Sequence, residues 1–394
     1  MENFLQEIIQ PLQKQDEKMD SLSFWQSEEL IQNFETFCQT MELNQTVKNL
    51  KIEACFEVSE EIQEKSAKLI EKMIEKNKSI IQLDLHSNHF NDSSICSILN
   101  GLLKNSTVKK LDLNQNDFGE QSYQKLGELL MQNHTIEDLN LGITNLSDEG
   151  IISLSKIFPF NKSLKIIDLR SNGITSKGAE IFFQSLIQNK VDSIIDISFA
   201  FNPVMDSYQQ ISNWIEINNN ISSLNLTGIP FTCDEFEPIL ASLSKLPSLK
   251  ILKMSGIKTL KEKGGSLIAN FLSKNQSIEH ILIGSCSLGD EGLKEIFTIL
   301  SSNLNQSLKI LDAPSNYISD LCTEEIAKAI KENPVIEVIN VNGNFITGNG
   351  ARIIIQALKQ KKNLKQCLID YNSIDKDDSC LEELKELNGE KTKN

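Results

Sequence analysis

Apolar residues recur along this chain in the pattern Leu-x-x-Leu-x-Leu-x-x-Asn, which repeats about every 28 residues. Clear copies begin at Ile80, Val108, Leu164, Leu308 and Ile336. We number the positions of a repeat from 1 to 11, with apolar residues at 1, 4, 6 and 11 and Asn at 9. A period of this length indicates a repeat architecture, because one copy cannot bury its apolar face alone.

Each repeat predicts a strand followed by a helix. Positions 3 to 5 read as a short strand whose positions 4 and 6 point inward and whose positions 3, 5 and 7 point outward. The segment 148–157 has apolar residues at helical spacing and acids in its first turn, as expected of a helix. About twelve repeats follow from position 4, which falls on Leu50, Leu83, Leu111, Leu139, Ile167, Ile197, Leu224, Leu252, Ile281, Leu311, Ile339 and Cys367.

The Asn at position 9 predicts a ladder of side-chain bonds, since its amide can bond backbone groups where the chain leaves the strand. It is present at Asn88, Asn116, Asn172, Asn202, Asn316, Asn344 and Asn372. We expect the ladder to be weakest at the departures, which are Thr144, Ile229, Ile257 and Cys286. Glycines about six residues after position 9 are expected to let the helix approach the strand layer closely.

The chain ends do not repeat and are expected to cap the stack, because a terminal repeat would otherwise expose its core. Residues 1–46 are predicted as an N-terminal helical cap, 47–374 as the repeat domain, and 375–394 as a C-terminal capping helix with a flexible tail.

Charge and composition narrow the classes of partner. The net charge is −15, which argues against nucleic acid and anionic membranes and favours a basic protein partner. No apolar run is long enough for a membrane span, and the first residues do not resemble a secretory signal. The eight cysteines are scattered singly, as in a cytoplasmic protein with reduced thiols, so we expect a cytoplasmic monomer.

The repeats resemble the ribonuclease-inhibitor class of leucine-rich repeats, which ribonuclease inhibitors, Ran GTPase-activating proteins and NOD-like receptors share. The resemblance covers about residues 47 to 374. It implies an α/β solenoid shaped as a horseshoe, with a parallel β-sheet on the concave face and α-helices on the convex face. It also implies binding of other proteins on the concave face or the rim.

The outward columns predict a concave binding face with two chemically different halves. The first half carries acids at Asp84, Asp112, Asp138, Asp168 and Asp196, beside Arg170. The second half carries apolar side chains at Ile251, Leu282, Ile310, Val338 and Leu368, with Tyr317, Phe345 and Tyr371 at the loop edge. Our hypothesis is that the acidic half steers a basic protein partner and the apolar half anchors it. The plain alternative is that β-branched residues simply suit strands.

The sequence shows no catalytic or phosphate-binding motif, so we predict a non-enzymatic protein without cofactor or metal. His86 and His89 are near the acids, but their repeat positions differ and a solvated pair is expected. The resemblance leaves open a GTPase regulator of the Ran GTPase-activator type, in which Arg170 would stabilise charge. A bacterial effector that binds host proteins, with an acid-rich helix at 382–386, and a subunit of a large assembly are further alternatives.

Overall fold

The computed structural model describes residues 4–56, 59–361 and 364–391. The chain divides into two compact units, a first unit Met1–Asn202 and a second unit Pro203–Asn394. The end of the predicted flexible tail, 392–394, lies outside the described residues. Among the described residues, no helix combines the length and the apolarity that a membrane span requires.

The first unit contains seven described strands, which run parallel and pair in chain order. The three-residue strands coincide with positions 3 to 5, as predicted, and Leu83, Leu111 and Leu139 lie side by side in register. The strands are β1 (Ser21–Trp25), β2 (Asn49–Glu53), β3 (Gln82–Asp84), β4 (Lys110–Asp112), β5 (Asp138–Asn140), β6 (Ile166–Asp168) and β7 (Asp196–Ser198).

The second unit repeats this arrangement with six described strands, again parallel and in chain order. Their central residues are fully or almost fully buried, and the flanking residues are half-buried except Ser223, which is buried. The strands are β8 (Ser223–Asn225), β9 (Ile251–Lys253), β10 (His280–Leu282), β11 (Ile310–Asp312), β12 (Val338–Asn340) and β13 (Gln366–Leu368).

Helices alternate with the strands, and successive repeat helices within a unit pack against each other. The first unit has a π-helical turn Leu5–Ile9 and helices α1 (Gln10–Gln13), α2 (Glu28–Gln32), α3 (Phe34–Leu43), α4 (Glu60–Lys76), α5 (Asp92–Leu103), α6 (Glu120–Gln132), α7 (Ser147–Ser155) and α8 (Ser176–Gln188). The second unit has 3₁₀ turns Met205–Ser207 and Asp320–Cys322 and helices α9 (Tyr208–Ile217), α10 (Cys233–Leu243), α11 (Lys261–Lys274), α12 (Gly289–Ser301), α13 (Thr323–Glu332), α14 (Gly348–Gln360) and α15 (Cys380–Lys391).

The asparagine ladder at position 9 forms as predicted. The Asn116 side-chain amide donates to the carbonyls of Leu113 and, one repeat earlier, Leu85, at 3.0 and 3.1 Å. Its oxygen accepts the Phe90 N–H at 3.0 Å. One buried side chain thereby satisfies backbone groups of two repeats, which would otherwise be orphaned away from water.

A second set of asparagine side chains makes hydrogen bonds where the helices end. Asn105 donates to the carbonyls of Ile74 and Asn77 in the preceding repeat, at 2.8 and 3.1 Å. Its oxygen accepts the N–H groups of Thr107 and Val108. Equivalent bonds to a preceding repeat are made by Asn77, Asn133, Asn161, Asn275, Asn305 and Asn333. Where both asparagines are present, a repeat is therefore joined to the one before it at both ends of its strand–helix unit.

Position 8 has a left-handed backbone in every repeat. In most repeats its N–H bonds the position-7 carbonyl of the next repeat, as Ser87 does with Asn114 and Ile143 with Arg170, both at 2.9 Å. These bonds continue the sheet pairing past the strand while the chain turns. The position-8 residues, all with positive φ, are Gln26, Ala54, Ser87, Gln115, Ile143, Ser171, Phe201, Gly228, Gly256, Ser285, Ser315, Gly343 and Tyr371.

The N-terminal segment 1–46, predicted as a helical cap, also contributes strand β1. Leu22 and Phe24 of this strand are buried, and it pairs in parallel with β2. The described residues therefore contain thirteen strands, whereas about twelve were expected. The physical reason is the alternation of apolar and polar residues at 21–25, a strand pattern that lacks the rest of the repeat.

Candidate functional site

The predicted acids of the first unit line a groove of about 330 Å³ on the open face of the sheet. Strand register places Asp84 directly beside Asp112, and both lie in the groove with Asp138 and Asp168. All four are half-buried. Asp196 lies one strand further on, paired with Ile166, and is not part of the groove lining. Four of the five predicted acids thus share one site.

The groove favours positive charge, because its carboxylates are only partly compensated. Burial raises the pKa of Asp112, and the charge of Asp84 acts in the same direction. Burial also raises the pKa of Asp138, against the opposing charge of Lys110. The Asn140 amide donates to Asp112 at 2.8 Å and separates it from the next carboxylate in the column, Asp168.

His86 lies at the edge of this groove between two carboxylates. Its Nδ1 is 2.6 Å from Asp84 Oδ1, and its Nε2 is 3.0 Å from Glu53 Oε1. Burial lowers the pKa of His86, but hydrogen bonds to Asp84 and Glu53 and the charges of Asp84 and Asp112 outweigh it and leave the pKa raised. Sequence reasoning missed Glu53, although it occupies position 7 of the preceding repeat and so neighbours His86 in the same outward column.

Arg170 lies beside the groove acid Asp168, with Nη1 3.5 Å from Asp168 Oδ2. Its side chain is 42% exposed and passes over Gly142, where a Cβ would come within 2.9 Å of the arginine Cγ. The absence of a side chain at Gly142 makes room for the guanidinium. The structure therefore brings Arg170 to the acidic site, as the sequence predicts, and pairs it there.

The predicted apolar side chains lie in two columns on the open face of the second unit, Ile251, Ile310 and Val338 at position 3 and Leu282 and Leu368 at position 5. We call these five residues together the apolar row. Ile310 lies beside Val338 in register, and His280 lies between Ile251 and Ile310. All five residues of the row are half-buried. Burial lowers the pKa of His280, which favours the neutral imidazole, while the charged residues Lys253 and Asp312 flank Leu282 in register.

Two of the three predicted aromatic residues meet at the edge of the second unit. Tyr317 and Phe345 occupy position 10 of successive repeats, and their rings stack with centroids 6.0 Å apart at 18°. They are 57% and 53% exposed. Tyr371 occupies position 8 instead and is 90% exposed. Large aromatic surface left in water at consecutive repeats is typical of an interaction site.

Comparison with known proteins identifies the repeats. The family model described as leucine-rich repeat matches residues 104–122, 132–155, 160–182 and 274–297. Together with the parallel strands and alternating helices, these matches confirm the predicted fold. The chain therefore contains leucine-rich repeats with the expected α/β fold, and such repeats are a protein-interaction module.

Similar sequences occur in longer proteins. The chain is 33% identical over 171 residues, 42% of its length, to FERM domain-containing protein C of Dictyostelium discoideum. It is 23% identical over 201 residues, 45% of its length, to the Cep78 homologue of Drosophila melanogaster. It is 24% identical over 162 residues, 41% of its length, to human NACHT, LRR and PYD domains-containing protein 13. The matches span only 11%, 24% and 15% of these relatives.

One solved structure resembles nearly the whole chain. A chain in the crystal structure of the Rad7 and Elc1 complex in yeast superposes with a TM-score of 0.61 and 14% sequence identity. The match covers 95% of this chain and 92% of that one. At this identity the likeness establishes the fold.

Proposed function

We propose that this chain is a non-enzymatic interaction protein that binds a protein partner on the open, concave face of its repeats. The observation that carries the proposal is the stacked pair Tyr317 and Phe345, exposed on the unit that also carries the apolar row. Aromatic and aliphatic side chains that gain contacts only on binding are the residues that usually dominate interface energies. The similar fold found in the Rad7 and Elc1 complex supports partner binding by such repeats.

The acidic groove of the first unit supports a basic partner. Its carboxylates face the open side of the sheet, and adjacent like charges destabilise the free protein unless a partner or solvent compensates them. Charges of this kind mainly raise the rate of association and set specificity. The eight cysteines, scattered singly along the chain and seven of them buried, support a reducing, cytoplasmic setting, and we propose a monomer as the binding form.

The test is affinity purification with quantitative mass spectrometry, using tagged wild-type protein and an Ile310→Asp, Val338→Asp double variant side by side. We expect the variant to lose the partner that wild type captures, since two charges in a contact row would be buried unpaired. The matched control is Ile310→Val with Val338→Ile, which keeps the apolar surface and should keep the partner. Equal capture by the Asp variant would place the binding site elsewhere.

A second variant protects this test against misfolding. Tyr317→Ala with Phe345→Ala removes exposed rings and leaves the strands unchanged, so the fold should persist by circular dichroism. We expect the captured partner to bind at least about tenfold more weakly, as for loss of an interface hot spot. Unchanged affinity would contradict a role for the aromatic edge.

A further inference from the structure

The acids at the start of the groove belong to a mixed donor set, which the pattern of carboxylates alone does not reveal. Asp84 and His86 are two residues apart on one repeat, and Asp112 lies beside Asp84 on the next strand. One ligand atom from each of the three lies within 4.8 Å of the other two. These atoms are one imidazole nitrogen and two carboxylate oxygens.

The imidazole is held in the manner of a metal ligand. In metal sites the second ring nitrogen of a ligating histidine almost always donates to a carboxylate or carbonyl, which fixes the tautomer and the ring orientation. Here Glu53 accepts from Nε2 at 3.0 Å, and Glu53 is itself held by Lys51 at 2.8 Å. This supporting pair leaves Nδ1 directed at Asp84 and the groove.

The second carboxylate is also held from outside the cluster. Asp112 accepts the Asn114 N–H at 2.9 Å on one oxygen and the Asn140 amide at 2.8 Å on the other. Each carboxylate oxygen has two lone-pair sites, so one on each oxygen remains for a cation. Two donors from neighbouring elements therefore orient this group without consuming its capacity to bind.

We propose that Asp84, His86 and Asp112 bind a divalent transition metal, for which Zn²⁺ is the probe, with Glu53 supporting the imidazole. A nitrogen ligand favours Zn²⁺ over Mg²⁺ or Ca²⁺, which prefer oxygen alone. Binding transfers the Nδ1 proton to water, leaves Nε2–H on Glu53, and balances the two carboxylate charges with the metal charge. The open groove leaves the remaining coordination positions to water or to a ligand from outside. This site does not depend on partner docking at the apolar row.

The first unit also provides matched controls. His89 lies 3.6 Å from Asp117, so it is a second histidine–carboxylate pair that is not part of the cluster. Asp168 occupies the same repeat position as Asp84 and Asp112, but its position-7 neighbour is Arg170, which offers a positive charge where the cluster offers a nitrogen ligand. Neither residue should contribute to metal binding.

The test is isothermal titration of Zn²⁺ into the chelator-treated full chain. We expect one Zn²⁺ per chain, binding that is lost in His86→Gln and in Asp112→Asn, and unchanged binding in His89→Gln and Asp168→Asn. Glu53→Gln should weaken affinity by about 10–100-fold, the usual effect of removing a supporting partner. Circular dichroism confirms that each variant is folded. If His86→Gln does not fold, the nearly isosteric Asp112→Asn provides the test instead.

Three results would overturn the proposal. They are wild-type affinity in both His86→Gln and Asp112→Asn, an equal loss in His89→Gln, and loss of Zn²⁺ binding in Cys96→Ser. The last variant addresses the cysteine that, unlike the seven buried ones, is half-buried.

Discussion

The two units use different residues at position 9 of the repeat. In the first unit the position holds Asn in most repeats. Of the departures there, Thr144 donates from its hydroxyl to Leu141 O at 2.8 Å, and Cys55 donates from its thiol to Glu53 O at 3.3 Å. In the second unit the first three repeats hold Ile229, Ile257 and Cys286. Cys286 keeps a weak bond from its thiol to Met254 O at 3.2 Å, whereas the two isoleucines are fully buried.

The difference shows how the turn tolerates loss of its asparagine. In both isoleucine repeats the preceding position 8 is glycine, Gly228 or Gly256, with φ of +74° and +77°. Their N–H groups still bond the next repeat at 2.8 and 2.7 Å. Glycine adopts this conformation without steric cost, so an unstrained turn compensates for the missing side-chain bonds. The turn after the strand is thus stabilised by side-chain hydrogen bonds in the first unit. In the two isoleucine repeats of the second unit it is stabilised by a glycine that adopts the required backbone conformation.

The largest expected effect comes from placing leucine at position 9 in each unit. Asn116→Leu removes three hydrogen bonds to buried backbone groups, and we expect a loss of about 3 kcal/mol or more in the free energy of unfolding. Ile257→Leu conserves volume in an apolar site and should cost less than about 1.5 kcal/mol. Chemical denaturation monitored by circular dichroism measures both.

A loss of stability common to all asparagine substitutions would not explain the expected difference in unfolding free energy between Asn116→Leu and Ile257→Leu. Asn100→Ala, in the middle of helix α5, is the control for loss of an asparagine outside the ladder and should be neutral or slightly stabilising. Equal losses for Asn116→Leu and Ile257→Leu would show that the ladder does not stabilise the first unit.

The strands and the outward columns were predictable because period-2 burial within a strict repeat fixes which residues face out. Asp84, Asp112 and the pair Ile310 and Val338 lie as predicted for this reason. The left-handed position 8 was not predictable, since Ile143 and Phe201 are residues that this conformation disfavours. The recurrent glycines have a different role from the one expected, because a Cβ at Gly178 would meet Asp148 and Ile151 of the neighbouring helix.

The candidate sites likewise contain residues whose position the sequence predicts and contacts that it does not predict. The acids could be placed by counting repeat positions, but the meeting of His86 with Glu53 required comparing position 7 of two repeats whose spacing is irregular. The stacking of Tyr317 on Phe345 depends on loop conformation at position 10, which the repeat does not determine. Periodicity therefore predicts the face on which a residue lies, and loop geometry decides its partners.

A smaller effect is expected from helix glycines that differ between the units. A Cβ at Gly265, in α11, would overlap the backbone of Gly292 in α12, and both partners are too rigid to yield cheaply. We expect Gly265→Ala to cost about 1–3 kcal/mol through overpacking. The matched change Gly127→Ala, in α6, meets Ser153 O at an ordinary 3.7 Å and should stabilise by about 0.5–1 kcal/mol. Thermal unfolding distinguishes the two, and a stabilised Gly265→Ala would show that α11 and α12 are farther apart.

The smallest effect comes from exchanging residues at position 8. Ile143 is β-branched, 45% exposed and held at φ +54°. Its left-handed backbone is therefore strained, and the little surface that its side chain buries offsets only part of that strain. Ile143→Asn should raise the free energy of unfolding by about 1 kcal/mol, because asparagine tolerates the left-handed region. The reverse change in the second unit, Gly256→Ile, should lower it by about 1–2 kcal/mol, although the space beside Gly256 accepts a Cβ at 3.6 Å. Denaturation midpoints measure both changes. If Ile143→Asn is instead destabilising, the exposed isoleucine makes contacts that outweigh its backbone strain.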